Sequence, residues 1–236
     1  THRKNKKLDI FFGNWLQALC WDNAFAIEHV YGHHKHVGLL KDGATARRGE
    51  GIFKFMIRST INEYKNAFNI EKNKLQRKGK SIFSFQNQFF VALFRSVFIT
   101  VIIYSLGSTI ALSCYLISAF ISKILLETIN YVEHYGLVRV EGRPVRPRHS
   151  WNSNTLISSI FTFNLTRHSA HHEKAHLPYW RLGPYTEAPK MPFGYLTTFF
   201  LALLFPWLYR RIMAKKLLDW DKNYASDAEK ELIATL

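Results

Sequence analysis

The chain has 236 residues, enough for one or two domains with a sizeable core, and carries 32 Lys and Arg against 17 Asp and Glu, a net charge of +15 with an isoelectric point near 9.9. That sign suits nucleic acid or an anionic membrane surface, but the basic residues fall in blocks between long apolar runs instead of interleaving with aromatics, which argues for membrane lipid and against nucleic acid. Two cysteines, Cys20 and Cys114, lie far apart in apolar surroundings, which excludes a disulfide framework and a CxxC metal knuckle.

The first residues, THRKNKK, do not resemble a natural start, and the chain is expected to be truncated at its N-terminus. Residues 8–27, LDIFFGNWLQALCWDNAFAI, have the length of a buried or membrane-embedded helix, with enough polar residues that the helix should pack against others and deliver His29 at its end. Residues 35–80 hold 12 Lys and Arg and amphipathic patches such as IFKFMIRSTINEYKNAF, which places them on the cytoplasmic side by the positive-inside rule.

The strongest apolar signal runs from Phe89 to Tyr131, with no charge between residues 96 and 122. One straight helix of that length would reach about 65 Å, twice the thickness of a bilayer core. A hairpin of two spans over 89–131, turning near Gly107, Ser108 and Thr109, is the more economical reading, and it returns both ends to the side of the basic segment and of the loop RVEGRPVRPRH. In the second span Glu127, Asn130 and His134 recur at i, i+3 and i+7, one polar face directed into a bundle. The four prolines of LPYWRLGPYTEAPKMPFGY exclude a regular helix or strand there. YLTTFFLALLFPWLYRRI, broken by Pro206, suits a re-entrant or interfacial helix, and the polar tail beyond it is expected to be helical in part. No internal repeat and no Rossmann, P-loop or nucleophile-elbow motif occurs. The fold expected is therefore all-α, a polytopic membrane helical bundle forming a single domain over 1–236.

Histidines punctuate this frame. EHVYGHHKHV, residues 28–37, puts four of them into ten positions, with His29, His33 and His34 at offsets zero, four and five, and on an α-helix the last lies roughly 100° round from the others. Alone this could be a solvated turn. A second group, NLTRHSAHHEKAH, places His168, His171 and His172 at i, i+3 and i+4 on one helical face, and NYVEHYGL adds His134. With His2, eight histidines are positioned to point inward: His2, His29, His33, His34, His134, His168, His171 and His172. A structural zinc takes four ligands and a catalytic one three, so the set implies two metal ions. Imidazole suits several metals, and a lipophilic substrate with an unreactive C–H bond calls for a redox metal with open positions, which favours a di-iron centre at the cytoplasmic end of the bundle.

EHVYGHHKHV, NYVEHYGL and NLTRHSAHH resemble the second histidine box, the HYG signature and the third histidine box of the integral-membrane, rubredoxin-dependent alkane 1-monooxygenases. SWNSN at 150–154, GATARRGEGIFKFMIR at 43–58 and RKGKSIFSFQNQ at 77–88 are also similar to that family's pattern, and THRK looks like the second half of its first box. The resemblance implies that the eight histidines above bind two non-haem iron ions. It also implies that O2 is used to convert the terminal methyl of an n-alkane to a primary alcohol, with electrons arriving from rubredoxin and rubredoxin reductase. The setting implied is the bacterial inner membrane, with the active site facing the cytoplasm. His36, where the family more often has an acidic residue, is left outside the ligand set, and His149 and His176 are expected beside the site or at the surface. A xylene-type aromatic-methyl monooxygenase, a fatty-acyl desaturase and a histidine-rich metal transporter are the alternatives; desaturases lack NYxEHYG, and a transporter would string its ligands along a path through the bilayer.

Overall fold

The computed structural model describes residues 6–236. Every regular element among the described residues is helical, and their sole β pairing is an isolated bridge between Asn152 and Lys190. The helices are α1 (Lys7–Leu19), α2 (Phe25–Glu28), a π-helical turn at His29–His33, α3 (His34–His36), α4 (Ile52–Gln76), α5 (Gln88–His134), α6 (Leu156–Phe161), α7 (His168–Glu173), α8 (Tyr195–Leu204), α9 (Pro206–Asn223) and α10 (Asp227–Ala234). They group into two compact units, the first made of the chain up to Lys35 with Ser59–Leu126 and the second of His36–Arg58 with Glu127–Leu236.

In the first unit the single helix expected over residues 8–27 is not found. α1 stops at Leu19, and Trp21 takes a left-handed φ of 55° before the chain restarts at Phe25. Polar side chains at the break are committed elsewhere. Trp21 Nε1 donates to Thr100 Oγ1 at 3.0 Å, Ser96 Oγ donates to Ala18 O at 2.8 Å and also meets Asn23, and Lys123 pairs with Asp22 at 3.1 Å and with Glu63. These bonds hold the chain ends of the break against α5, and burying such groups unpaired would cost more than an interrupted helix. Ala24, Ile27 and Ala67 form the small apolar core of this unit, packed by Tyr64, Ile70 and Phe89.

α5 is two helical arms in succession. Ser108, with φ 67° and ψ −172°, is non-helical, so the break falls inside the 107–109 stretch named above. Tyr115 OH, seven residues after the break, lies 3.5 Å from Ala18 O, the carbonyl that also accepts from Ser96, twelve residues before it, so the arms double back on each other. α5 is the one described helix long and apolar enough to cross a membrane, and only 6% of its most apolar window is buried.

The second unit has the larger core, built around Tyr131, Tyr135, Tyr209, Trp151, Trp220, Phe55 and Met213. Tyr131, Tyr135 and Tyr209 stand with ring centroids 5.0–5.4 Å apart. The stretch after α5 is pinned by backbone bonds: Gly136 N–H donates to Ala46 O at 2.8 Å and Arg139 N–H to Gly38 O at 2.7 Å. Arg48 adds a bidentate fork on Asp221, at 2.6 and 2.8 Å, and donates from Nε to Gly136 O. Residues 178–194 form turns and one short 3-10 stretch, Tyr179–Arg181, as their prolines require. Pro206 opens α9 directly after α8, and α10 begins with a capping box in which Glu229 accepts from the Ser226 backbone N–H.

Candidate metal centre

Three buried imidazoles of the second unit converge. His134 sits at the last turn of α5, and His168 and His172 are one helical turn apart on α7. Their Nε2 atoms lie 3.0 Å (His134 to His168), 3.2 Å (His134 to His172) and 2.8 Å (His168 to His172) from one another. Each neutral imidazole can offer one lone-pair nitrogen, and three such nitrogens aimed at one point are a donor set that would hold a transition-metal ion, imidazole suiting iron, copper and zinc alike.

The supporting layer explains why the rings face this way. His134 Nδ1 lies 3.3 Å from the His149 backbone carbonyl. A carbonyl only accepts, so the proton of His134 sits on Nδ1 and its Nε2 lone pair points to the centre. His149 is itself fully buried and fixed at both ring nitrogens, Nδ1 accepting from Arg146 N–H at 3.0 Å and Nε2 donating to Glu229 Oε1 at 2.8 Å. α7 is anchored by Ser169 Oγ, 2.9 Å from Pro147 O and 3.2 Å from Ser150 O. The SWNSN stretch supplies Trp151, whose backbone N–H donates to Glu133 O at 2.8 Å and whose indole N–H donates to Tyr135 O at 2.9 Å.

Glu133 is the residue that spacing did not reveal. Its Oε2 lies 3.1 Å from His168 Nε2, and its Oε1 accepts from Tyr195 OH at 2.7 Å. A cation beside it would favour the charged carboxylate. The stripe Glu127, Asn130 and His134 is buried as expected, with Asn130 Nδ2 3.4 Å from Glu127 Oε2. Glu133 lies off that stripe, and its only signal in the sequence is its place beside His134. His171 stands 5.5 Å ring to ring from both His168 and His172, half-buried and outside the three-nitrogen set.

In the first unit His29, His33 and His34 form a second group. The backbone from His29 to His33 is π-helical, not α-helical, so the expected 100° offset of His34 is corrected. One extra residue in the turn brings i and i+5 onto one side. The rings of His29 and His34 are 4.8 Å apart, closer than the 5.2 Å between His29 and His33, and Phe25 stacks on His29 at 4.4 Å. His29 and His33 are buried and His34 half-buried. His36 is half-buried and His176 exposed, while His2 lies outside the described residues.

Residues 1–212 match the fatty acid desaturase family. The chain belongs to that family. Among its relatives, it is 36% identical over 225 residues to alkane 1-monooxygenase 2 of Alcanivorax borkumensis, covering 89% of this chain and 56% of the relative. It is 37% identical over 210 residues to alkane 1-monooxygenase 1 of Pseudomonas aeruginosa, covering 87% and 54%. The hydroxylase component of xylene/toluene monooxygenase from Pseudomonas putida is 33% identical over 206 residues, covering 87% and 56%. The chain thus spans about half the length of the curated relatives it matches. The resemblance to alkane 1-monooxygenases read from the histidine boxes stands.

Proposed function

We propose that this chain carries the metal-binding machinery of an integral-membrane alkane 1-monooxygenase, which converts medium- or long-chain n-alkanes to primary alcohols. The observation that carries the reading is the convergence of His134, His168 and His172 through Nε2, an all-imidazole donor set of the kind that would hold a redox-active transition metal. His171, His29, His33, His34 and His2 complete the ligand set proposed for two iron ions. When bound, such a pair supplies reductive activation of O2, with the balance RH + O2 + 2 electrons + 2 protons giving ROH + H2O. The residues of the chain do the rest. His149 fixes the tautomer of His134, Tyr195 holds Glu133 so that its other carboxyl oxygen faces the point on which His168 Nε2 converges, and the Ile-, Leu-, Val- and Phe-rich α5 offers a linear apolar molecule a way out of lipid. Hydrophobic contact supplies about 0.8 kcal/mol per buried CH2, so neighbouring chain lengths should be poorly distinguished. Rubredoxin and its reductase are the proposed electron donors, in the bacterial inner membrane with the site towards the cytoplasm.

The test is the product. The full-length protein, given rubredoxin, its reductase, NADH and O2, should turn several n-alkanes into 1-alkanols, and mainly secondary alcohols or an alkene from a fatty acyl chain would overturn the reading. The similarity to the xylene/toluene enzyme favours a second reading, oxidation of an aromatic methyl group. It predicts benzylic alcohol from xylene with little attack on n-alkanes.

A further inference from the structure

Residues 156–163 read LISSIFTF, and α6 within them is folded inside out. Its buried residues are Ser158 and Ser159, the latter with Oγ 3.1 Å from Thr166 Oγ1. Leu156, Ile157, Ile160, Phe161 and Phe163 are instead 65–74% exposed. Five large apolar side chains within eight residues make a patch that water does not favour, and a continuous patch of this kind marks an interaction surface. The turn that follows is built to keep it outward. Phe163 and Asn164 both adopt left-handed φ, 51° and 58°, which side-chain-bearing residues seldom do, and Asn164 Nδ2 holds the turn by donating to Tyr179 O at 3.2 Å.

Three features name the occupant as lipid. No Asp, Glu, Lys or Arg occurs from Ser150 to Thr166, as in the apolar heart of α5. The edge of the patch is aromatic in the manner of a membrane interface, with the exposed Tyr179 5.5 Å from Phe163 and the exposed Trp180 4.9 Å from Tyr179. Beyond them Lys174, Arg181 and Lys190 are exposed, and residues 164–190 carry four basic groups against two acidic ones, the sign that anionic headgroups attract. We propose that residues 156–163 insert into the interfacial zone of an anionic bilayer, with Tyr179 and Trp180 at headgroup level. The insertion rests on the membrane reading of this protein but not on its chemistry. Because Ser153 N–H donates to Thr166 O at 2.9 Å, two residues before His168, the inserted element is tied directly to a proposed metal ligand.

Bimane attached to Ile160→Cys tests this in the full-length protein carrying Cys20→Ser and Cys114→Ser, reconstituted in vesicles of phosphatidylglycerol and phosphatidylcholine. A parallel sample labelled at the native, exposed Cys114 of α5 reports whether the protein entered the bilayer. Lipids brominated near the carbonyl should quench the Ile160 label at least two-fold more than lipids brominated near the chain terminus, and aqueous iodide should quench it weakly. With Cys114 quenched by lipid, an Ile160 label quenched freely by iodide overturns the proposal. So does a label reached by neither quencher, because protein then covers the patch. An unquenched Cys114 with a quenched Ile160 would overturn the span and leave the insertion standing. Ile157→Cys, on the same exposed face, provides the reading if Ile160→Cys does not fold.

Discussion

His134, His168 and His172 each give one nitrogen to a common point, so truncating one removes a third of that donor set and leaves two buried rings facing a gap. The full-length protein in detergent should bind about two irons per chain and lose most of them on His168→Ala or His172→Ala, read by metal analysis. One zinc per chain would overturn the two-iron reading. Gly136 shows why His134 is followed by a tyrosine and a glycine. Its φ is 70°, and a Cβ there would stand 2.8 Å from Leu217 Cδ1 and 3.2 Å from Arg48 Cγ, while Tyr135 OH accepts from Gly49 N–H. Gly136→Ala should therefore destabilise by about 2 kcal/mol or more. Gly142→Ala, with φ 81° but open space around it, should cost only the backbone part, about 1 kcal/mol, in the same denaturation assay. Histidine spacing is readable because imidazoles are scarce and helical offsets place them. Glu133 was not, since a carboxylate beside His134 looks like any helical glutamate until Tyr195, some sixty positions on, folds against it. For His149, sequence suggests only proximity, because what it offers His134 is a backbone carbonyl.

At the scale of elements, hydropathy located the long apolar run and the break within it because such an uncharged run has few alternatives, and prolines located the loop 178–194. The break at Trp21 was hidden because the partners that cause it, Thr100, Ser96 and Lys123, are remote in sequence. α10 shows how an element far along the chain supports the site. Glu229 caps α10 through Ser226 and also receives Arg148 and His149. Burial alone would raise its carboxyl, but the bonds from His149, Ser226 and Arg148 outweigh this and bring it from 4.5 to about 2. A depressed carboxyl contributes stability above its unfolded value and loses it as pH falls towards the folded one. Burial lowers the His149 imidazole from 6.5, so the unfolded chain takes that proton first. Both groups give the same sign. Thermal stability should decline as pH drops below about 6.5 and further between about 4.5 and 2, and Glu229→Gln should flatten the lower step.

For the whole molecule, the excess of basic residues is concentrated in 35–80 and 139–148, next to the segments that bear the histidines. If they receive an acidic electron carrier, turnover with rubredoxin should weaken as ionic strength rises, because attraction between exposed charges is screened within about 10 Å at 0.1 M salt. If they only set topology and touch lipid, turnover should be indifferent to salt while vesicle binding stays sensitive. Stopped-flow reduction across a salt series separates the two.

The π turn at His29–His33 makes added length, not side-chain identity, the change that this stretch cannot absorb. Val30 and Tyr31 could be exchanged for residues of similar size with little consequence, and deleting one would restore an ordinary helical turn in which the two later histidines, then at i+3 and i+4, still face His29. An insertion would instead carry the later of them to the far side. Descendants of this sequence should therefore tolerate substitution between the first and last of these histidines far better than any insertion.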